Sequence, residues 1–209
     1  MRRQHPQAVV FDLGNVLIRW DPHPAIAAAV GDEEARRFLA AEDFDFGAWN
    51  RRQDAGRPWA EAEAEAARTH PHWERHVLAY RRHFAESLLG EIEDTVGVLD
   101  DLHDAGVRLF ALTNWSDELF WHARERFEFL THFDDIVVSG AEGVAKPDPE
   151  IFEVLRRRTG LPLDALVFID DKPENVAAAV AAGMDGIVFH DTGHLREDLR
   201  SRGLPLPPA

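Results

Sequence analysis

Short apolar runs alternate with longer stretches of helical spacing through the second half of the chain. "VRLFALT" (107–113), "DDIVVSG" (134–140), "DALVFIDD" (164–171) and "GIVFH" (186–190) read as strands. Each is short, bounded by polar residues, and rich in β-branched or aromatic side chains. "DELFWHARERFEFL", "DPEIFEVLRRRTG", "PENVAAAVAAG" and "HLREDLRSRG" carry apolar residues at helical intervals. Gly160 and Gly183 stand where a helix stops, and Pro173 near a helix start, where its missing N–H is not needed. Strands separated by helices of this length predict an α/β fold, with a parallel sheet covered by helices on both faces. "VVFD" (9–12) supplies one more such strand.

Between "VVFD" and "VRLFALT" the pattern changes. Residues 23–90 show helical spacing and no strand signal. "DEEARRFLAA" has Asp32 in an N-cap position, and "RPWAEAEAEAART" has Pro58 near its start. "PHWERHVLAYRRHFAESLL" reads as one long amphipathic helix, and "AEAEAEAA" as a solvated helical face. "DTVGVLDDLHDAG" then leads back to the sheet and stops at Gly106. The expected division is a core of residues 1–20 and 91–209, with residues 21–90 as a small all-helical insert.

Composition narrows the function classes. The 209 residues are 45% hydrophobic and 29% charged, as in a soluble globular protein. No apolar run approaches the roughly 20 residues that span a bilayer. The start, "MRRQHPQAVVFD", lacks the apolar segment of a signal peptide. Without cysteine there is no disulfide, thiolate ligand or thiol nucleophile, and a cytoplasmic location is expected. A net charge of −15 speaks against nucleic acid, whose phosphates need a basic face. It leaves room for a small phosphorylated ligand, which responds to the local field. The sequence is silent on oligomeric state.

In an open parallel sheet, ligands collect beyond the carboxyl ends of the strands. The polar residues there are Asp12, Thr113 with Asn114, Lys146 in the loop after "DDIVVSG", and Asp170 with Asp171. Each has a plain alternative. Asp12 can cap a turn, Thr113-Asn114 can form one, Lys146 can lie in solvent, and Asp170-Asp171 can cap the next helix. Together they suggest more. Three neighbouring carboxylates repel unless a cation joins them, and an all-oxygen donor set suits magnesium (Mg²⁺). Lys146 adds a second positive centre. An aspartate in that field can attack phosphorus and form an aspartyl-phosphate, while the cations meet charge on the phosphoryl oxygens.

"FDLGNVL", "LTN", "AKPDPEIF" and "FIDDKPEN", in that order, resemble the four signature motifs of the haloacid dehalogenase-like (HAD) hydrolases. Each motif alone is weak, but four in sequence at the right strand ends are specific. The resemblance implies a Rossmann-like core, with the helical insert at the place of that family's type 1 cap. It implies Asp12 as nucleophile, Thr113 and Asn114 as phosphate binders, and Lys146 as charge stabiliser. Asp171 would ligate Mg²⁺ directly, Asp170 would support the metal through water, and the Gly14 carbonyl would be a further ligand. The expected activity is Mg²⁺-dependent hydrolysis of a small phosphorylated metabolite, with neither nucleic acid nor membrane as partner.

One departure stands out. Most phosphatases of the family carry a second aspartate two positions after the nucleophile, as general acid and base, and here that position is Gly14. General acid–base catalysis is worth about 10²–10⁴-fold. The "FDLGNV" form resembles bacterial members related to alpha-D-glucose-1-phosphate phosphatase. Sugar 1-phosphates therefore enter the expected substrates, because an anomeric hydroxyl leaves more easily than an ordinary alcohol and the missing acid costs less. Asp21, His23 and Asp45 are candidates for a replacement acid. Two rival readings remain: a non-catalytic phosphometabolite-binding protein, and a metal-free 2-haloacid dehalogenase. The dehalogenases carry Ser-Asn where this chain has Asp170-Asp171. Trp20 and Trp115 follow the first two motifs directly and are expected either to line the pocket or to join the core. Trp49, Trp59 and Trp73 are expected to pack the insert, with a roof over the pocket as the alternative for one of them. His70, His72, His76 and His83 are expected on a solvated helix face, although His72 and His76 have the spacing of paired ligands.

Overall fold

The computed structural model describes residues 6–207. The expectations for the first five residues and for Pro208 and Ala209 lie outside the described residues. The centre is a five-stranded parallel sheet formed by β1 (Ala8–Phe11), β4 (Arg108–Thr113), β5 (Asp135–Val138), β6 (Leu166–Asp170) and β7 (Asp185–Val188), in the order β5-β4-β1-β6-β7. These are the five strands the apolar runs predict. The chain winds outward from β1 through β4 to β5, then crosses back to β6 on the other side of β1. The switch in winding direction therefore falls at β1, where a ligand crevice is expected.

Period-two alternation divides the core. Val9 and Phe11 of β1, Leu109 and Ala111 of β4, and Val167 and Ile169 of β6 join one buried cluster. Ala8 and Val10, Phe110 and Leu112, and Leu166 and Phe168 point to the opposite face and a second cluster. α9 (Pro149–Thr159) and α10 (Pro173–Ala181) cover that second face. α6 (Glu93–Asp104) and α11 (Thr192–Ser201) cover the first. Both faces of β6 are buried along its whole length and apolar up to its last residue, Asp170, as a doubly covered parallel sheet demands.

The insert departs from the expected pattern in detail. It holds α1 (Pro22–Val30), α2 (Asp32–Leu39), α3 (Phe46–Asp54), α4 (Trp59–Thr69) and α5 (Glu74–Arg82). Asp32 opens α2 and does not cap it; Gly31 takes the cap position. The expected long helix over 71–89 divides into α5, a 3₁₀ turn at Phe84–Ser87 and strand β3 (Leu88–Glu91). β3 pairs antiparallel with β2 (Ile18–Trp20), making a small ribbon at the base of the insert. Both strands are too short to show alternation. Trp49, Trp59 and Trp73 are buried among Phe38, Phe46 and Tyr80, the packing role expected of them. His72 is exposed and meets Asp43 at 2.7 Å. His76 departs from the solvated face: it is buried against Phe38 and Trp73, and burial lowers its pKa. No helix among the described residues is long and apolar enough to cross a membrane.

Candidate active site

Asp12 follows directly on β1, and its backbone N–H donates to the Ile169 carbonyl of β6 (2.8 Å), extending the sheet by one residue. Its Oδ1 accepts from the Leu13 N–H at 2.8 Å, which aims the carboxylate beyond the strand ends. The chain then turns sharply. Asn15 sits at φ 56°, a conformation asparagine tolerates better than most residues. Its side-chain oxygen accepts from the Trp20 N–H at 3.1 Å. Gly14, in contrast, is not demanded by crowding: a Cβ added there would meet nothing within 4 Å.

Lys146 is the hub of the site, and its side chain is wholly buried. Nζ donates to the Leu112 carbonyl and to Asp170 Oδ2, each at 2.7 Å, and lies 3.0 Å from Asp12 Oδ1. The Phe168 ring lies beneath the ammonium, 5.3 Å away. This excludes the solvent-exposed alternative. Asn114 fixes the lysine main chain from both sides: its Nδ2 donates to the Lys146 carbonyl and its Oδ1 accepts from the Lys146 N–H, both at 2.9 Å. The side chain expected to bind phosphate is thus committed to positioning Lys146.

Asp170 is fully buried at the end of β6. Besides Lys146, Asn175 Nδ2 donates to both its oxygens at 3.0 Å, and the Lys172 N–H donates to Oδ1 at 2.8 Å. It therefore serves the turn into α10 and the site together. Asp12, Asp170 and Asp171 each present an oxygen within 4.8 Å of the others, a set that fits one hard cation. With the Asp170 oxygens already occupied, Asp171, half-buried beside it, is the more available ligand. Burial pushes the Asp12 carboxyl up to about 7; Lys146 opposes the rise, and Asp170 and Asp171 add to it. Burial works against the Lys146 charge, but Asp12 and Asp170 outweigh it and hold that pKa above the ordinary lysine value. Burial and Asp170 also raise Asp171.

A cavity of about 240 Å³ opens over Asp12, between the strand ends and the insert. Gly14, Thr113, Asn114, Lys146 and Asp171 line its floor. Trp20 and Trp115 also line it, while Trp115 belongs to the buried core as well and Trp20 packs against that core. Trp59, Tyr80 and Phe84 complete an aromatic wall. The Trp59 Nε1–H donates to Ser116 Oγ at 2.8 Å and ties insert to sheet.

The candidate replacement acids are elsewhere. Asp21 caps α1 by accepting from the His23 N–H, and Asp45 caps α3 by accepting from the Ala48 N–H. His23 lies 3.2 Å from Asp32. None of the three lines the cavity. Besides Asp12 and Asp171, the acid that does is Asp54, the last residue of α3, which sequence reasoning missed. Burial pushes its carboxyl up to about 8, with Lys172, a Ser116 N–H and Arg51 opposing and Asp12 adding to the shift. Nothing in the sequence around Asp54 marks it out, because only the fold of the insert brings it to the strand ends.

A family model described as haloacid dehalogenase-like hydrolase matches residues 6–183. Among curated proteins, the sesquiterpene phosphatase astK of Aspergillus oryzae is 26% identical over 197 residues, covering 89% of this chain and 91% of that protein. The glyceraldehyde 3-phosphate phosphatase of Methanothermobacter thermautotrophicus is 31% identical over 121 residues, 56% of this chain and 54% of that protein. Among solved structures, a HAD family enzyme of Bacteroides thetaiotaomicron, in complex with magnesium and inorganic phosphate, superposes with a TM-score of 0.68 at 21% identity. That match covers 91% of this chain and 98% of the other. The chain belongs to the haloacid dehalogenase-like hydrolase family and is a hydrolase related to phosphatases.

Proposed function

We propose that this protein is a Mg²⁺-dependent phosphatase that transfers the phosphoryl group of a small organic phosphate to Asp12 and then to water. The observation that carries the reading is Lys146 buried between Asp12 and Asp170, with Asp171 beside them, under one aromatic-walled cavity. The phosphatase names of the two curated relatives support it, as does the solved neighbour's complex with magnesium and inorganic phosphate. In this reading residues 1–20 and 91–209 form the catalytic core and residues 21–90 a cap.

Asp12, Asp170, Asp171 and the Gly14 carbonyl would hold the metal, which when bound supplies positive charge to the phosphoryl oxygens. Asp12 attacks phosphorus. Lys146 stabilises charge on the transferring group from a position fixed before substrate arrives, so no reorganisation is needed at the moment of reaction. The Thr113 hydroxyl contributes a phosphate contact, and Asn114 acts through Lys146. Trp20 and Trp115, with Trp59, Tyr80 and Phe84, hold an organic group that has an apolar face and exclude water around it. Sugar phosphates belong to this class through the C–H face of the ring.

A metal-free dehalogenase reading fits the site less well. Asp170 and Asp171 would repel a haloacid carboxylate, and no cation would offset them. The test is hydrolysis of an aryl phosphate and of a panel of phosphorylated metabolites with purified protein. The phosphatase reading requires Mg²⁺-dependent turnover that Asp12→Asn abolishes. Halide release from a 2-haloacid in EDTA, or turnover that survives Asp12→Asn, contradicts it. Tight binding of a phosphometabolite without turnover would favour the binding-protein reading instead.

A further inference from the structure

With glycine at position 14, the chemistry lacks the carboxyl that would protonate the leaving group. Three acids line the cavity: Asp12, Asp171 and Asp54. The first two belong to the metal-binding cluster. Asp54 comes from the insert and is not one of that cluster.

Its surroundings fix its place. The Asn50 Nδ2 donates to Asp54 Oδ2 at 3.0 Å, and Ser139 Oγ, just beyond β5, donates to the Asp54 main-chain carbonyl. Two residues on, Gly56 passes so close to the sheet end that an added Cβ would stand 2.9 Å from the Gly140 carbonyl oxygen. The end of α3 is therefore held against the strand ends. A carboxylate at a helix C-terminus also meets the negative end of the helix dipole, which favours the neutral, proton-bearing form.

We propose that Asp54 is the catalytic acid and base that stands in for the missing aspartate at position 14. The proposal rests on the phosphatase reading. In the first step Asp12 oxygen bonds to phosphorus, the phosphorus–oxygen ester bond breaks, and the departing alkoxide takes the proton of Asp54 to become an alcohol. In the second, water attacks the aspartyl-phosphate and gives a proton back to the Asp54 carboxylate. The phosphorus–Asp12 bond breaks, and phosphate leaves with Asp12 and Asp54 restored. The groups that face Asp54 are Asn50 and Arg51 of its own helix, Asp12 after β1, Lys172 after β6, Ser116 before α7 (Asp117–Arg126), and Tyr80 of α5. Burial outweighs the cations among them and pushes the carboxyl up to about 8, the direction a proton donor needs.

The test compares leaving groups. Asp54→Asn is expected to lower turnover of an alkyl phosphate by about 10²–10⁴-fold. With p-nitrophenyl phosphate, whose anion leaves without a proton, the same variant should release a rapid burst of one nitrophenolate per enzyme and then turn over slowly. Such a burst records an aspartyl-phosphate awaiting its base, and a merely structural defect would not produce it. The double variant Gly14→Asp, Asp54→Asn uses the open space at position 14 and is expected to regain alkyl phosphate turnover. Thermal melting of each variant, with Asp54→Ser as a second replacement, identifies loss of fold. An Asp54→Asn or Asp54→Ser enzyme that stays folded, shows no burst, and loses both substrates equally or loses less than about tenfold on the alkyl phosphate overturns the proposal. In that case the phosphatase reading stands as long as Asp12→Asn is inactive. Turnover that survives Asp12→Asn overturns both.

Discussion

Replacing Lys146 with methionine removes one buried charge and keeps most of the side-chain volume. In the wild type the ammonium satisfies Asp12, Asp170 and the Leu112 carbonyl at 3.0, 2.7 and 2.7 Å. The variant leaves two carboxylates facing each other in a space water barely reaches. Breaking a buried pair by removing one partner costs about 3–5 kcal/mol. Asp170 keeps its bonds from Asn175 and the Lys172 N–H, which places the expected loss near the lower end, about 3 kcal/mol. For a chain of this size each kcal/mol moves Tm by about 2–4 °C, so Lys146→Met is expected to melt roughly 6–12 °C below wild type. Melting in EDTA keeps metal out of the comparison. The cycle with Asp12→Asn makes the reasoning sharper. If repulsion between carboxylates is the cause, Lys146→Met with Asp12→Asn should recover about 1–3 kcal/mol relative to additivity. A Tm loss below about 2 °C, or strict additivity with Asp12→Asn, would refute the bridging role.

Other predictions concern the frame around the site. Gly140→Ala would set a Cβ 2.5 Å from the Asp117 nitrogen and 2.7 Å from the Trp115 carbonyl oxygen. Backbone must shift, so a loss of about 1–3 kcal/mol is expected by denaturant melting, together with weaker substrate binding at Trp115. Asp54 gives a pH signature. Its carboxyl rises from 3.8 in the unfolded chain to about 8 in the folded one, so its contribution to stability is fully present below pH 3.8 and is lost as pH rises through about 8. The Tm of Asp54→Asn relative to wild type should therefore increase between pH 5 and pH 8.5, and a constant difference would count against the raised Asp54 carboxyl. Trp59→Phe removes the donor to Ser116 Oγ and is expected to cost about 1 kcal/mol, measured by thermal melting.

Much of the core is legible from the chain because its signals are local. Val9, Val10 and Phe11 form an apolar run that ends in a carboxylate, Asp12, at the edge where ligands of a parallel sheet collect. Residues 107–113 and 164–171 are likewise apolar runs with a polar end, a hydroxyl at Thr113 and carboxylates at Asp170 and Asp171, so Asp12, Thr113 and Asp170 align from the chain alone. What remained hidden depends on how separated segments meet. Leu88–Glu91 forms a strand only because Ile18–Trp20 lies beside it. His76 has the spacing of a surface histidine but falls under Phe38 and Trp73 when α2 packs on α5. Asn114 carries a phosphate-binding motif position, yet its side chain is taken by the Lys146 main chain 32 residues on. Asp21 and Asp45 follow the nucleophile more closely in sequence than Asp54 does, but helix capping uses their carboxylates.

Turnover by this site requires Asp12 to carry the phosphoryl group between substrate and water. Acid quench of the enzyme during turnover of a phosphomonoester with Mg²⁺, followed by peptide mass analysis, measures this directly. A phosphoryl group on the peptide containing Asp12, absent in Asp12→Asn and reduced by borohydride to homoserine at that position, is the predicted result. Sustained turnover with the peptide unmodified, or with the label on a different residue, contradicts the account.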